Sequence, residues 1–248
     1  MLKTKIIILF LGLGFLLNQC QEENKKNRST KSSNSNQENP QSKKDELVTG
    51  TETSKNNQPE SKELEPLLLN DQNAIPFLFE YQKNHLENKV RISTRFGDID
   101  LELYQNTPYH RANFVFLTKQ GYFNGSTFHR VVPGFIIQGG NSDRTETAEK
   151  RRKIGKYLLP PDTRKGNQHH RGVISMPSSE IENPHKLASP YEFFIVQQSP
   201  GAYHLDGSYT AFGKVIKGMD VVDKINQQQI DDREAPLTNI HMEVSILE

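Results

Sequence analysis

The chain has 248 residues, a net charge of +1, 33% hydrophobic residues and one cysteine; its mean hydropathy is −0.72. Near-neutral charge gives no global pull toward nucleic acid, a lone cysteine excludes a disulfide framework, and so low an apolar content means that part of the chain joins no core.

Lys3 and Lys5 precede an apolar run from Ile6 to Leu17, which ends in Leu17-Asn18-Gln19-Cys20. The run is too short for a comfortable transmembrane helix and suits a signal peptide. No small-residue cleavage site follows it. The segment resembles a bacterial lipoprotein signal, whose cysteine is lipidated and becomes the new N-terminus, although Asn18 and Gln19 replace the small residues usual there. The resemblance implies a signal over residues 1–19, a palmitate-bearing anchor at Cys20, and a place in the cell envelope, facing the periplasm or the surface. An uncleaved short anchor or an ordinary signal peptide is the competing reading.

Residues 20–66 form a polar tether with almost no apolar side chain. Such a segment cannot bury enough surface to offset its ordering entropy and is expected to be disordered. Its r.m.s. reach is roughly 35–40 Å, enough to lift a domain clear of a membrane. Apolar residues return over 67–88, where Leu67-Leu68-Leu69 and Phe77-Leu78-Phe79 flank a short helical segment expected to pack on the following domain as an extension.

The domain proper is read over residues 89–248. Val90–Thr94 and Ile99–Leu103 alternate about a turn at Phe96-Gly97-Asp98, which is a hairpin signal. Thr107-Pro108 reads as a helix cap and first helical residue, and Ala112, Phe114, Val115, Phe116 and Leu117 carry that helix to Gly121. Further strands are expected at Thr127–Val131, Phe135–Gln138, Gly172–Met176, Glu192–Gln197 and Thr210–Val215. Gly218-Met219-Asp220 opens a second helix, and Ile240–Leu247 alternates as a closing strand. Many short strands with two helices predict a mainly β fold, a closed antiparallel eight-stranded barrel capped by two α-helices.

One stretch departs from simple patterning. In Phe128-His129-Arg130-Val131-Val132-Pro133-Gly134-Phe135-Ile136-Ile137-Gln138, a cation and an amide stand among apolar residues that should alternate. This motif, with Phe193-Phe194-Ile195-Val196, His204-Leu205-Asp206-Gly207 and Ala211-Phe212-Gly213-Lys214-Val215, resembles the cyclophilins, barrel-shaped peptidyl-prolyl cis/trans isomerases. Four blocks in order over about two-thirds of the chain make the resemblance specific.

The chemistry suits those residue types. Rotation about the bond before proline is opposed by amide resonance, a barrier of about 18–20 kcal/mol. No bond breaks, so the reaction asks for no metal, cofactor or nucleophile. It asks for an apolar grip on the pyrrolidine ring and a donor aimed at the prolyl nitrogen, whose lone pair localises as the bond twists. The resemblance implies Arg130 as that donor. It implies Phe135, Ile136, Phe194, Leu205 and Tyr209 as the pocket, and Gln138 as a clamp on the substrate backbone that also helps hold the arginine. Proline-containing polypeptides are the implied substrates. The chain is expected to act as a monomer and to bind no nucleic acid.

Bland readings compete at each position. Arg130 alone could be a surface cation, Phe135 and Phe194 plain core aromatics, and His129 a structural hydrogen-bonder. His169-His170 has no ligand cluster at metal spacing and reads as a solvated loop. Lys150-Arg151-Arg152-Lys153 lies among acidic residues without interleaved aromatics and reads as a charged surface loop.

The chain also departs from the family it resembles. His204 stands where many members carry a tryptophan that favours cyclosporin, so weak cyclosporin binding is expected. Tyr209 stands where a histidine is common, and Pro177-Ser178 alters a segment that offers backbone to substrate. Glu192 replaces the usual glutamine and is expected to approach Arg130, either orienting the guanidinium or sequestering it. The competing function is a proline-segment-binding chaperone or adaptor with little catalysis.

Overall fold

The computed structural model describes residues 68–178 and 183–248. The expectations for the signal, for Cys20 and for the tether lie outside the described residues.

Eight strands form one antiparallel sheet. They are β2 (Lys89–Thr94), β3 (Gly97–Leu103), β4 (Thr127–Val132), β5 (Ile136–Asn141), β7 (Val173–Ser175), β8 (Phe193–Val196), β9 (Ala211–Lys217) and β10 (Met242–Ile246). Their order is β10-β2-β3-β9-β7-β8-β5-β4. The two outer strands then meet: Thr127 bridges His241, Met242 N donates to Ser126 O at 2.9 Å, and Phe128 N donates to Ile240 O at 2.9 Å. Closing the sheet in this way satisfies edge groups that would otherwise stay unpaired.

The barrel interior follows from the alternation. Ile92, Ile99, Leu101, Phe128, Val131, Ile137, Phe193, Ile195 and Phe212 are buried in one cluster. Helix α2 (Pro108–Lys119) covers one part of it, with Phe114 set against Phe193 edge-on at 5.6 Å and against Phe212 at 5.7 Å. Helix α4 (Met219–Asn226) buries Val221, Val222 and Ile225, as the spacing predicts. Thr107 begins α2 without a side-chain cap bond; its hydroxyl turns back to Tyr104 O at 3.3 Å instead.

The sequence predicts two helices over the barrel and a helical segment in the extension before it; the described residues form four α-helices. The extension folds as β1 (Leu69–Asn70) and α1 (Ala74–Asn84). Ala74 and Leu78 are buried, Phe77 meets Phe116 edge-on at 5.0 Å, and Arg111 of α2 donates to His85 O at 2.7 Å. Strand β1 runs parallel to β6 (Gly155–Lys156). The fourth helix, α3 (Thr145–Ile154), corrects the charged-loop reading of residues 150–153. It buries only Thr147 and Ile154, so it shows no apolar stripe by which it could be recognised. Among the described residues no helix is long and apolar enough to cross a membrane.

Candidate active site

The hairpin β4–β5 shapes the site. Its turn runs Val132-Pro133-Gly134-Phe135, closed by Phe135 N donating to Val132 O at 3.0 Å. Gly134 has φ +71, a left-handed value that a side chain disfavours, and proline before it presets the other corner. Asn226 of α4 pins this turn from below: its Oδ1 accepts from Gly134 N at 2.8 Å, and its Nδ2 donates to Val132 O at 2.9 Å and Ile136 O at 3.1 Å.

A bulge explains the broken alternation. Phe128 pairs with Gly139 and Arg130 with Gln138, so two steps on β4 oppose one on β5, and His129 is the extra residue. Without it Arg130 would follow Phe128 into the barrel. With it, Phe128 and Val131 both turn inward and Arg130 turns out.

On that outer face the register builds a row. Arg130 stands opposite Gln138, Gln138 opposite Phe194, and Phe194 opposite Ser175, across β4, β5, β8 and β7. Beside the row lies a second apolar cluster, separate from the barrel core, made of Ile136, Phe194, Val196 and Ala202 with Val132, Phe135, Leu205 and Tyr209 packed against it. The five pocket residues named from the sequence all fall in it. Tyr209 meets Phe194 edge-on at 5.9 Å, and His204 stacks on Phe135 at 5.3 Å.

Arg130 is held on two sides. Its Nε donates to Glu234 Oε2 at 2.7 Å, and its Nη1 donates to Gln138 Oε1 at 3.3 Å. Among the described residues Nη2 has no hydrogen-bond partner, and the side chain is 40% exposed. Glu234 was not anticipated: it lies in a loop of mixed charge and adopts φ +65, a left-handed conformation unusual for a glutamate.

Glu192 does not touch Arg130, as the sequence reading expected it to. Its Oε2 accepts from Gln138 Nε2 at 3.0 Å and its Oε1 from Asn141 Nδ2 at 3.2 Å. His129 Nε2 lies 3.6 Å from one oxygen and Arg151 Nη2 3.6 Å from the other. The physical reason is reach: Gln138 stands between the two, with its amide oxygen toward the guanidinium and its amide nitrogen toward the carboxylate. Burial opposes ionisation of Glu192, but His129, Gln138 and Arg151 together outweigh it and hold the carboxyl below its ordinary value.

Arg151 is therefore no solvated cation. Its Nε donates to the Tyr122 hydroxyl at 2.8 Å, its guanidinium lies 5.1 Å from the Tyr191 ring centre, and Tyr122 donates on to Gly140 O at 2.8 Å. A cleft of about 720 Å³ is walled by Glu192, Arg151, Lys156, Tyr157 and Tyr191; it meets the Arg130 row only through Glu192, the partner of Gln138, and includes none of the apolar pocket. Among the described residues no group of three potential metal ligands occurs.

The site is thus an apolar surface pocket on a closed antiparallel barrel, rimmed by an arginine held through Nε and Nη1, with Nη2 unengaged among the described residues. The family model for cyclophilin type peptidyl-prolyl cis-trans isomerase matches residues 89–245. The chain belongs to that family of enzymes. It is 36% identical over 138 residues to a peptidyl-prolyl cis-trans isomerase of Acinetobacter baylyi, covering 55% of this chain and 70% of that one. It is 37% identical over 160 residues to peptidyl-prolyl cis-trans isomerase-like 2 of Rhizopus delemar, covering 64% of this chain but only 28% of that longer protein. A crystal structure of a Cryptosporidium parvum cyclophilin type peptidyl-prolyl cis-trans isomerase superimposes with a TM-score of 0.55 at 29% identity, over 65% of this chain and 98% of that one. The same Cryptosporidium protein has also been crystallised in the presence of the dipeptide Ala-Pro.

Proposed function

We propose that the protein accelerates rotation about X-Pro bonds in exported polypeptides from a lipid anchor at Cys20, and that the row Arg130–Gln138–Phe194 carries the reaction. The observation behind this reading is the row itself, which sets a guanidinium, an amide and an aromatic ring side by side at the rim of one apolar pocket.

Phe135, Ile136, Phe194, Leu205 and Tyr209 grip the pyrrolidine ring. Gln138 has its amide engaged between Arg130 and Glu192 and positions the guanidinium while meeting the substrate backbone. Nη2 of Arg130 is the donor left for the prolyl nitrogen. As the peptide bond twists, the nitrogen lone pair localises and accepts this bond most strongly at the transition state, so the contact lowers the barrier instead of merely holding substrate. Nothing is transferred and no intermediate forms. Glu192 acts on the site through Gln138. His204, on the pocket rim beside Phe135, takes the place of a tryptophan that favours cyclosporin in the family, and weak binding of that drug follows.

Anchoring on a tether of residues 20–66 places the pocket near polypeptides emerging from a membrane, where proline isomerisation delays folding and ATP is not needed. The test combines two readouts on the purified protein and on cells. The protein should speed the cis-to-trans relaxation of an Ala-Pro peptide, and Cys20→Ala should move it from the membrane to the soluble fraction. Binding of the peptide without acceleration would make it a proline-segment-binding module. A soluble wild type would remove the anchor.

A further inference from the structure

The sequence reads His169 as part of a solvated loop, and the structure corrects this. The ring is fully buried, with 0% of its side chain exposed. Its Nδ1 lies 2.7 Å from Asp206 Oδ1, which also accepts the His169 backbone N–H at 2.9 Å. Its Nε2 lies 3.1 Å from Ser175 Oγ, and Ser175 Oγ lies 2.8 Å from Thr210 O. The ring stacks over Phe194 at 6.1 Å and 15°. The His169 carbonyl accepts from Ala202 N at 2.7 Å.

A serine, a histidine and an aspartate in line suggest a nucleophile, but Ser175 is itself fully buried and no substrate reaches it. The arrangement does something else. Asp206 can only accept, so Nδ1 carries a proton. Ser175 has one hydroxyl proton to direct either to Thr210 O or to Nε2. When the proton goes to Nε2, the ring is bonded to Asp206 of the segment 202–210 on one side and to β7 on the other; when it goes to Thr210 O, Ser175 ties β7 to that segment directly and the ring keeps its bond to Asp206. That segment supplies Ala202, Leu205 and Tyr209 to the pocket, and β7 holds Phe194 through the register Ser175–Phe194.

We propose that His169 is a positioning residue: it fastens the Leu205–Tyr209 wall of the proline pocket to the Phe194 wall and so fixes the width of the grip. This rests on the pocket being the proline grip. Three of the pocket's residues come from a loop that belongs to no strand, and that loop is held at Ala202 and Asp206 by His169 and at Thr210 by Ser175 of β7. A wall set by this one ring would bind the pyrrolidine equally in the ground and transition states, so its loss should appear in KM and not in kcat.

The test uses the full protein and an Ala-Pro-containing peptide, with thermal unfolding measured alongside. His169→Phe keeps a ring on Phe194 and removes both side-chain bonds; it should raise KM about tenfold with kcat within about twofold. Asp206→Ala should do the same, and Asp206→Asn, which keeps an accepting oxygen, should restore most of the binding. Asp206 is 26% exposed, so its variants carry the test even where His169→Phe does not fold. KM unchanged in folded His169→Phe and Asp206→Ala would overturn the proposal and leave His169 a stabilising residue only. Phe194→Ala separates this from the function itself. If it raises KM while the His169 and Asp206 variants do not, the grip is real and the positioning proposal fails. If it leaves KM unchanged in an active protein, the pocket reading fails.

Discussion

Arg130 and Glu234, 104 residues apart in the chain, meet through a 2.7 Å hydrogen bond from Nε to Oε2. The bond takes a guanidinium nitrogen that Gln138 does not use, and it sets the plane in which Nη1 and Nη2 lie. Val131 N donates to Glu234 O at 2.8 Å, so backbone and side chain of Glu234 both grip β4 at this point.

Glu234→Gln should therefore lower kcat/KM about three- to tenfold, since an arginine less well aimed loses part of its transition-state contact. Stability should hardly change: both side chains are about 40% exposed, and such pairs are worth about 0.2–1 kcal/mol. Peptide isomerisation rates and thermal unfolding check both halves. A rise in kcat/KM would mean that Glu234 restrains Arg130 instead of orienting it.

Glu192→Gln should act differently. A glutamine at 192 can still accept from Gln138, so kcat/KM should stay within about threefold of wild type. It removes the carboxylate that faces His129 and Arg151 from a mostly buried position, and the protein should lose about 1–3 kcal/mol of stability. Urea denaturation gives the second number. A large change in activity with unchanged stability would show direct coupling of Glu192 to the reaction.

Asn226→Ala tests the support beneath the hairpin. It strips partners from Gly134 N, Val132 O and Ile136 O at once, and Asn226 is only 4% exposed. The expected loss is about 2–3 kcal/mol, with kcat/KM falling as the turn loosens under Phe135 and Ile136. Hydrogen exchange at the Gly134 amide should accelerate relative to wild type. Unchanged exchange there would show that the turn holds without α4.

His110 governs part of the acid stability. The ring is completely buried on α2, neither nitrogen has a hydrogen-bond partner among the described residues, and burial pushes its pKa down to about 3. The folded protein keeps the ring neutral, whereas the unfolded chain protonates it near the ordinary 6.5. Its contribution is whole above pH 6.5 and is lost as the pH falls toward 3, by up to about 1.4 kcal/mol per pH unit. Urea midpoints between pH 7.5 and 5 should fall more steeply for wild type than for His110→Leu. His169, whose ring burial also holds below its ordinary value, has the same sign in both proteins and cancels in the comparison. Parallel curves would contradict the assignment.

Much of the site was legible because strands advertise their faces. Phe193 and Ile195 point in and Phe194 and Val196 point out, as alternation requires, and the two groups form separate clusters. The bulge at His129 was not legible, since a one-residue insertion leaves no compositional mark; it showed only as a failure of alternation. Glu234 was hidden for another reason. Its partner lies across the closure of the barrel, and one more acidic residue in a charged loop carries no signal of what it faces. Helix α3 was misread because it is held by Arg151 against Tyr122, Tyr191 and Glu192, contacts made by its polar residues. His169 illustrates the same limit: a polar residue is buried when its partners are supplied by distant loops.

The most direct test of the account is isomerisation of an X-Pro peptide by wild type and by Arg130→Ala. The wild type should accelerate relaxation, and Arg130→Ala should lose about 10²-fold in kcat/KM while its unfolding midpoint stays close to wild type. An Arg130→Ala protein as active as wild type, or a folded wild type without activity, would contradict the assignment of Arg130 Nη2 as the donor to the prolyl nitrogen.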